Sequence, residues 1–185
     1  MHSETIILSE WVELYTGDLY SWALYKISDA EQAKDLVQDT FLAAAEKIED
    51  FKADSSPKTW LLAILNHKII DIYRKKVKQP IHFDSKAYPD YFDENGSWLT
   101  GKRPKDWHED EQHLLDDEEF QYVLKNCLDA LPEKWNLCVK LKYLTGKSGD
   151  EICHELEITP SNFWQILHRA KLRLRDCIEV NWYKD

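Results

Sequence analysis

Apolar side chains recur every three or four residues along most of this chain, interrupted once by a long stretch with no period. Trp11, Leu14, Tyr15, Trp22 and Tyr25 sit at helical spacing across residues 9–27. "SDAE" at 28–31 has the form of a capping box, with Ser28 as N-cap and Glu31 three residues on. In the helix it opens, Leu36, Val37, Thr40, Phe41, Ala44 and Ile48 fall on the core side, and Gln38, Asp39, Leu42, Ala43 and Glu46 face outward. Ser56 followed by Pro57 reads as an N-cap and first-turn proline, opening a helix that runs to about Lys78 and stops before Pro80. Trp60, Leu61, Ile64, Leu65, Ile69 and Ile72 form its apolar stripe.

The period returns near Asp116. One helix stops before Pro132, Pro132 opens the next, and Gly146 closes it. "SGDE" at 148–151 is a second capping box, and Thr159-Pro160 a second cap-plus-proline start. They frame a short helix, a tight turn and a longer helix. Between the two periodic halves, residues 79–118 hold three prolines, two glycines and no helical period. A structureless stretch of that length argues for two bodies. The expectation is all-α: two small helical domains joined by an acidic linker, the second containing a helix-turn-helix, with bounds 1–78, 79–118 and 119–185.

Charge sharpens this division. The net charge is −10, but residues 79–118 alone carry −7, with 4 Lys/Arg against 11 Asp/Glu. Residues 119–185 are balanced at 10 against 10. Hydrophobic residues make up 43%, which excludes a disordered chain. No apolar run is long enough to cross a bilayer, and "MHSETIILSEW" lacks the basic start and apolar core of a secretion signal. The expectation is a cytoplasmic protein with no membrane insertion. The four cysteines, Cys127, Cys138, Cys153 and Cys177, include no CxxC pair. Cytosolic thiols stay reduced, so no structural disulfide is expected. Cys153-His154 with Cys127 or Cys138 is a weak zinc candidate, because the spacings match no zinc pattern.

Three stretches carry candidate chemistry. Ile152, Cys153, Leu156, Ile158, Phe163 and Leu167 have helix-turn-helix spacing, leaving Asn162, Trp164, Gln165, His168, Arg169, Lys171 and Arg175 outward for phosphates and base edges. A plain helical hairpin with a solvated basic face fits the pattern as well. Lys58, His67, Asp71, Arg74, Lys75 and Lys78 flank the apolar stripe of the helix from Pro57, suiting melted DNA or simply a solvated helix end. Leu42 and Ala43 beside Asp39 suit a protein contact or an ordinary alanine-rich helix. There is no phosphate-binding glycine loop, no HExxH and no GxSxG.

Taken together, "DAEQAKDLVQDTFL", Phe51 and Trp60 nine apart, "AILNHKIIDIYRKK", "LPEKWNLCVKLKYLTGKSGDEICHELEIT" and "LHRAKLRLR" resemble the extracytoplasmic-function sigma factors of bacterial RNA polymerase. The likeness covers residues 10–78 and 119–180 in family order. It implies a non-enzymatic specificity subunit without cofactor or metal. Its partners would be core RNA polymerase, promoter DNA and, as often in the family, an anti-sigma factor. Leu36, Gln38, Asp39, Phe41 and Leu42 would meet the polymerase. Phe51, Lys58, Asn66, His67, Asp71, Arg74 and Lys75 would serve the −10 element. Ser161, Asn162, Trp164, Gln165, His168, Arg169, Lys171 and Arg173 would serve the −35 element; Trp164, where the family often has a basic residue, either makes an apolar contact in the groove or packs against a protein neighbour. The acidic linker would thread the polymerase.

The sequence departs from the family at three places: His67 stands for a usual Asn, Glu157 for a turn glycine, and Trp164 and Ile166 for frequent basic residues. A stand-alone helix-turn-helix regulator and a helical metal-binding adaptor are the alternatives.

Overall fold

The computed structural model describes residues 2–79, 91, 97–101, 103 and 114–183, and no side chains before Leu8. Most of the expected linker therefore lies outside the described residues. The protein is all-α, and the chain falls into two compact units, residues 1–75 and 76–185.

The first unit is built from α1 (His2–Ile27), α2 (Ala30–Glu46) and most of α3 (Pro57–Lys78). The buried line of α1 is Trp11, Leu19, Ala23 and Ile27, a four-residue stagger. Of the other apolar residues at helical spacing, Leu14, Trp22 and Tyr25 are exposed. The core of α2 is Ala33, Leu36, Val37, Thr40, Phe41 and Ala44; the Thr40 hydroxyl donates to the Leu36 carbonyl at 2.7 Å, which makes its burial affordable in hydrogen-bond terms. Leu61, Leu65, Ile69 and Tyr73 line α3. The Tyr73 hydroxyl donates to the Lys26 carbonyl at 2.8 Å, satisfying one of the open acceptors at the end of α1.

The cap between α1 and α2 sits one residue later than the sequence pattern suggests. Asp29 is the N-cap, its carboxylate accepting the Gln32 N–H at 3.0 Å. Ser28 is a left-handed connector (φ 59°) whose N–H donates to the Leu24 carbonyl. The carboxylate suits the positive end of the α2 dipole at least as well as a hydroxyl would. Glu31 turns to Lys34 instead, at 2.7 Å. The Ser56 start of α3 is as expected, its hydroxyl accepting the Thr59 N–H at 3.2 Å.

The second unit contains α4 (Glu118–Asp129), α5 (Glu133–Leu144), α6 (Gly149–Leu156) and α7 (Pro160–Asn181). Ser148 and Glu151 exchange both bonds of a capping box at the start of α6. Accepting the Ser148 N–H holds the Glu151 carboxyl below its ordinary value. A lowered acid contributes stability when ionised, so this cap is at full strength above the ordinary carboxylate range and weakens as pH falls through it. Thr159 caps α7 through the Asn162 N–H at 3.3 Å.

The turn between α6 and α7 places Glu157 in the left-handed region (φ 55°, ψ 45°). Its N–H donates to the His154 carbonyl and the Ile158 N–H to the Cys153 carbonyl, the pair of bonds that closes a Schellman turn. A non-glycine residue in this conformation costs about 1–2 kcal/mol. Glu157→Gly is therefore expected to stabilise the second unit by about 0.5–1 kcal/mol, the remainder being offset by glycine's freedom when unfolded. Thermal denaturation that shows no gain would contradict this account of the turn.

One expectation fails outright. Cys127 and Cys177 form a disulfide, with Cα atoms 5.7 Å apart and 50 positions between them in sequence. It joins α4 to α7 within a small apolar cluster that includes Phe120 and Ile178, with Phe120 edge-on to Trp182 at 5.2 Å. Cys138 and Cys153 are free and buried, as expected of small core residues. Burial pushes the Cys138 thiol up to about 12 and raises Cys153 as well.

Candidate nucleic-acid and polymerase interfaces

On α7 the buried stripe is Phe163, Ile166, Leu167, Ala170 and Ile178. Against it, Ser161, Asn162, Trp164, Gln165, His168, Arg169, Lys171 and Arg173 are all exposed. The eight residues expected to serve the −35 element thus share the solvent side of one helix. Ile166 is core, so its substitution for a basic residue subtracts nothing from that side. Lys171 Nζ lies 5.5 Å from the Tyr143 ring centroid.

Trp164 is half in and half out, 49% exposed. A Cβ at Gly149 would come within 3.0 Å of its Cζ2 atom, so the indole lies closely over the first residue of α6. Lys142 Nζ is 5.7 Å from the ring centroid. One edge of the indole is packed and the rest is open to solvent.

Arg175 differs from its neighbours. Helical period sets it outward, yet its side chain is only 13% exposed. Trp98 and Tyr91, from the segment before α4, cover its guanidinium at 4.9 and 5.6 Å. Asp176 and Glu179 pair with it at 2.9 and 3.4 Å. The Tyr91 hydroxyl donates to Asp176 at 2.7 Å, and burial together with this acceptor raises the phenol well above its ordinary value. Arg175 fastens that segment and is not part of the exposed side of α7.

In the first unit, His67, Asp71 and Lys75 are exposed at four-residue intervals on α3, with Arg74 beside them donating to Asp71 at 3.2 Å. The other three residues assigned to the −10 side are placed differently. Lys58 pairs with Asp18 of α1. The Asn66 carbonyl oxygen accepts the Trp22 indole N–H at 2.9 Å. Phe51 is half-buried, its ring 5.1 Å from Trp11 and 5.2 Å from Trp60. These three side chains thus also make contacts within the unit. The loop after Phe51 is exposed from Lys52 to Ser56, with Ala53 at φ 57°.

The expected polymerase contact also divides. Leu36 and Phe41 are core, because they fall on the stripe that packs α2. Gln38, Asp39 and Leu42 face solvent, Leu42 at 65% exposure. A large leucine left in water among polar neighbours is a candidate anchor for a partner. Among the described residues no group of three or more His, Cys, Asp or Glu is placed to hold a metal ion, and no helix is long and apolar enough to cross a membrane.

An all-α chain with a helix-turn-helix whose solvent side is basic and polar has the build of the DNA-binding transcription proteins. Comparison with known proteins narrows this. The family model for Sigma-70 region 2 matches residues 11–79, and that for Sigma-70 region 4 matches residues 122–174. The chain is 34% identical to a probable RNA polymerase sigma factor of Haemophilus influenzae, over 86% of its own length and 84% of that protein's. It is 38% identical to the ECF RNA polymerase sigma factor SigX of Bacillus subtilis, covering 91% of this chain and 81% of the relative. Among solved structures it is similar to the sigma factor RpoE of Bartonella quintana, crystallised with the anti-sigma factor NepR (21% identity, 94% of this chain and 97% of that one, TM-score 0.40). The chain belongs to the RNA polymerase sigma factors of the extracytoplasmic-function type. Members of this family are DNA-binding initiation factors.

Proposed function

We propose that this chain binds core RNA polymerase through the Gln38–Asp39–Leu42 face of α2 and directs it to promoters through two DNA-facing surfaces. His67, Asp71, Arg74 and Lys75 of α3, with the exposed loop 52–56, serve the −10 element. Cations track the backbone there while the melted strand is held by contacts rather than chemistry. Ser161 to Arg173 of α7 serve the −35 element. Arg169, Lys171 and Arg173 hold phosphates, and the free edge of Trp164 meets an apolar base edge such as a thymine methyl. The domain bounds are 1–78, 79–118 and 119–185, with the acidic middle suited to a positively charged channel of the polymerase. Strand separation is driven by binding free energy; the chain carries out no catalysis and works in the cytoplasm. An anti-sigma partner would act by covering these same faces.

The observation that carries this reading is the order of the two matched regions, each coinciding with an exposed polar face. Run-off transcription with purified core enzyme tests it: the chain must confer promoter-specific transcripts that core alone does not make. Leu42→Glu is expected to weaken core binding at least tenfold, read by sizing chromatography, while leaving the fold intact. Unchanged binding would remove α2 from the interface. A stand-alone regulator would instead shift promoter DNA without polymerase.

A further inference from the structure

The disulfide is the feature that the promoter reading does not absorb. It lies across the base of the helix-turn-helix: the loop it closes runs from the end of α4 through α5 and α6 to the end of α7. All eight exposed α7 residues assigned to DNA lie inside that loop. The cluster around the bridge is small, with Phe120, Cys127 and Ile178 its buried members. α4 packs on α7 through this cluster, with Val123, Leu124, Leu174 and Trp182 partly buried around the bridge, so a covalent link there adds to how firmly α4 and the C-terminal end of α7 stay together.

The bridge is also reachable. Cys127 and Cys177 line a cavity of about 430 Å³ together with Ala130, Arg173, Asp176 and Asn181. Cys177 is the less buried residue of the two, and Asn181 Nδ2 lies 3.6 Å from its Sγ. The other two thiols are buried and held protonated by burial, so thiol chemistry is directed to this pair.

We infer that Cys127–Cys177 is a reversible thiol–disulfide site, exchanging with a low-molecular-weight thiol and disulfide couple of the glutathione class, and that its state sets the strength of −35 binding. This rests on the sigma-factor reading, which puts the chain where thiols are kept reduced and a disulfide is reversible by default. A thiolate of the small thiol attacks Cys177 Sγ; the bond to Cys127 Sγ breaks and Cys127 leaves with the electron pair and takes up a proton. A second small thiolate then attacks its own sulfur in the mixed disulfide. Cys177 leaves and is protonated, and the small thiol departs as its disulfide. Oxidation by the small disulfide runs the same steps backward. The oxidised form is the firm one and the better binder.

The full chain is equilibrated in graded mixtures of reduced and oxidised glutathione, quenched in acid, unfolded in denaturant and alkylated with a maleimide. Intact mass and peptide mapping are expected to show one transition from four alkylatable cysteines to two, the pair lost being Cys127 and Cys177. Amide hydrogen exchange across residues 118–129 is expected to slow at least tenfold on oxidation, while residues 57–75 are unaffected. Run-off transcription from a −35-dependent promoter should rise at least threefold, and the Cys127→Ser/Cys177→Ser variant should stay at the reduced level throughout. Four reactive cysteines at every ratio, pairing through Cys138 or Cys153, or exchange and transcription equal in both states would overturn the inference. If the two-thiol transition and the exchange change occur but neither state supports any transcript, the thiol site stands and the sigma-factor reading fails.

Discussion

Reduction of the Cys127–Cys177 bridge is expected to lower the unfolding free energy of residues 76–185 by about 3–4 kcal/mol. A cross-link 50 positions apart removes about 4 kcal/mol of chain entropy from the unfolded state, and partial structure in that state trims the figure. For a unit of this size the melting temperature should fall by roughly 13–17 °C. Calorimetry of the full chain with and without reductant checks it: the transition of residues 76–185 should move and that of residues 1–75 should not. The same shift is expected in Cys127→Ser and in Cys177→Ser, and reductant should add nothing to either. A drop below about 1 kcal/mol would mean that α4 is already secured by Phe120 and Trp182, and that the bridge is incidental to stability.

The contrast between this bridge and the helix starts shows what the sequence can convey. Ser56, Ser148 and Thr159 were legible because a cap is settled within four residues, and its partner N–H is part of the same local pattern. Even the Asp29 correction is a choice between neighbours. Pairing Cys127 with Cys177 depends on how α4 and α7 pack, and the compartment argument pointed the other way. Arg175 went wrong for a related reason: period fixes the side of its own helix, but Trp98 and Tyr91 arrive from far along the chain. The family resemblance had its own limit. It pointed to α2 as the helix for a polymerase contact, yet Leu36 and Phe41 are buried, and only burial separates them from Leu42.

Replacing Trp11 is expected to be the most damaging single change in the first unit. Its indole is 7% exposed and stands edge-on to Phe51 at 5.1 Å and to Trp60 at 6.1 Å. Truncation to alanine removes a large buried side chain, at a cost of about 3–5 kcal/mol, and takes two ring–ring contacts with it, each worth about 0.5–1.5 kcal/mol. A unit of this size has only about 5–15 kcal/mol in reserve, so Trp11→Ala should unfold residues 1–75 at mild denaturant while the other unit keeps its own transition. Trp11→Phe should recover more than half of the loss, since one ring contact and much of the volume remain. Urea denaturation followed by circular dichroism measures both. The triad also explains why a residue assigned to DNA is half-buried. Phe51 fixes where the exposed loop 52–56 leaves the body of the unit, so under the proposed function it would act on melting through position. Phe51→Ala should therefore reduce open-complex formation at least tenfold with little effect on −35 binding. Equal loss at both elements would place the triad's role in general stability instead.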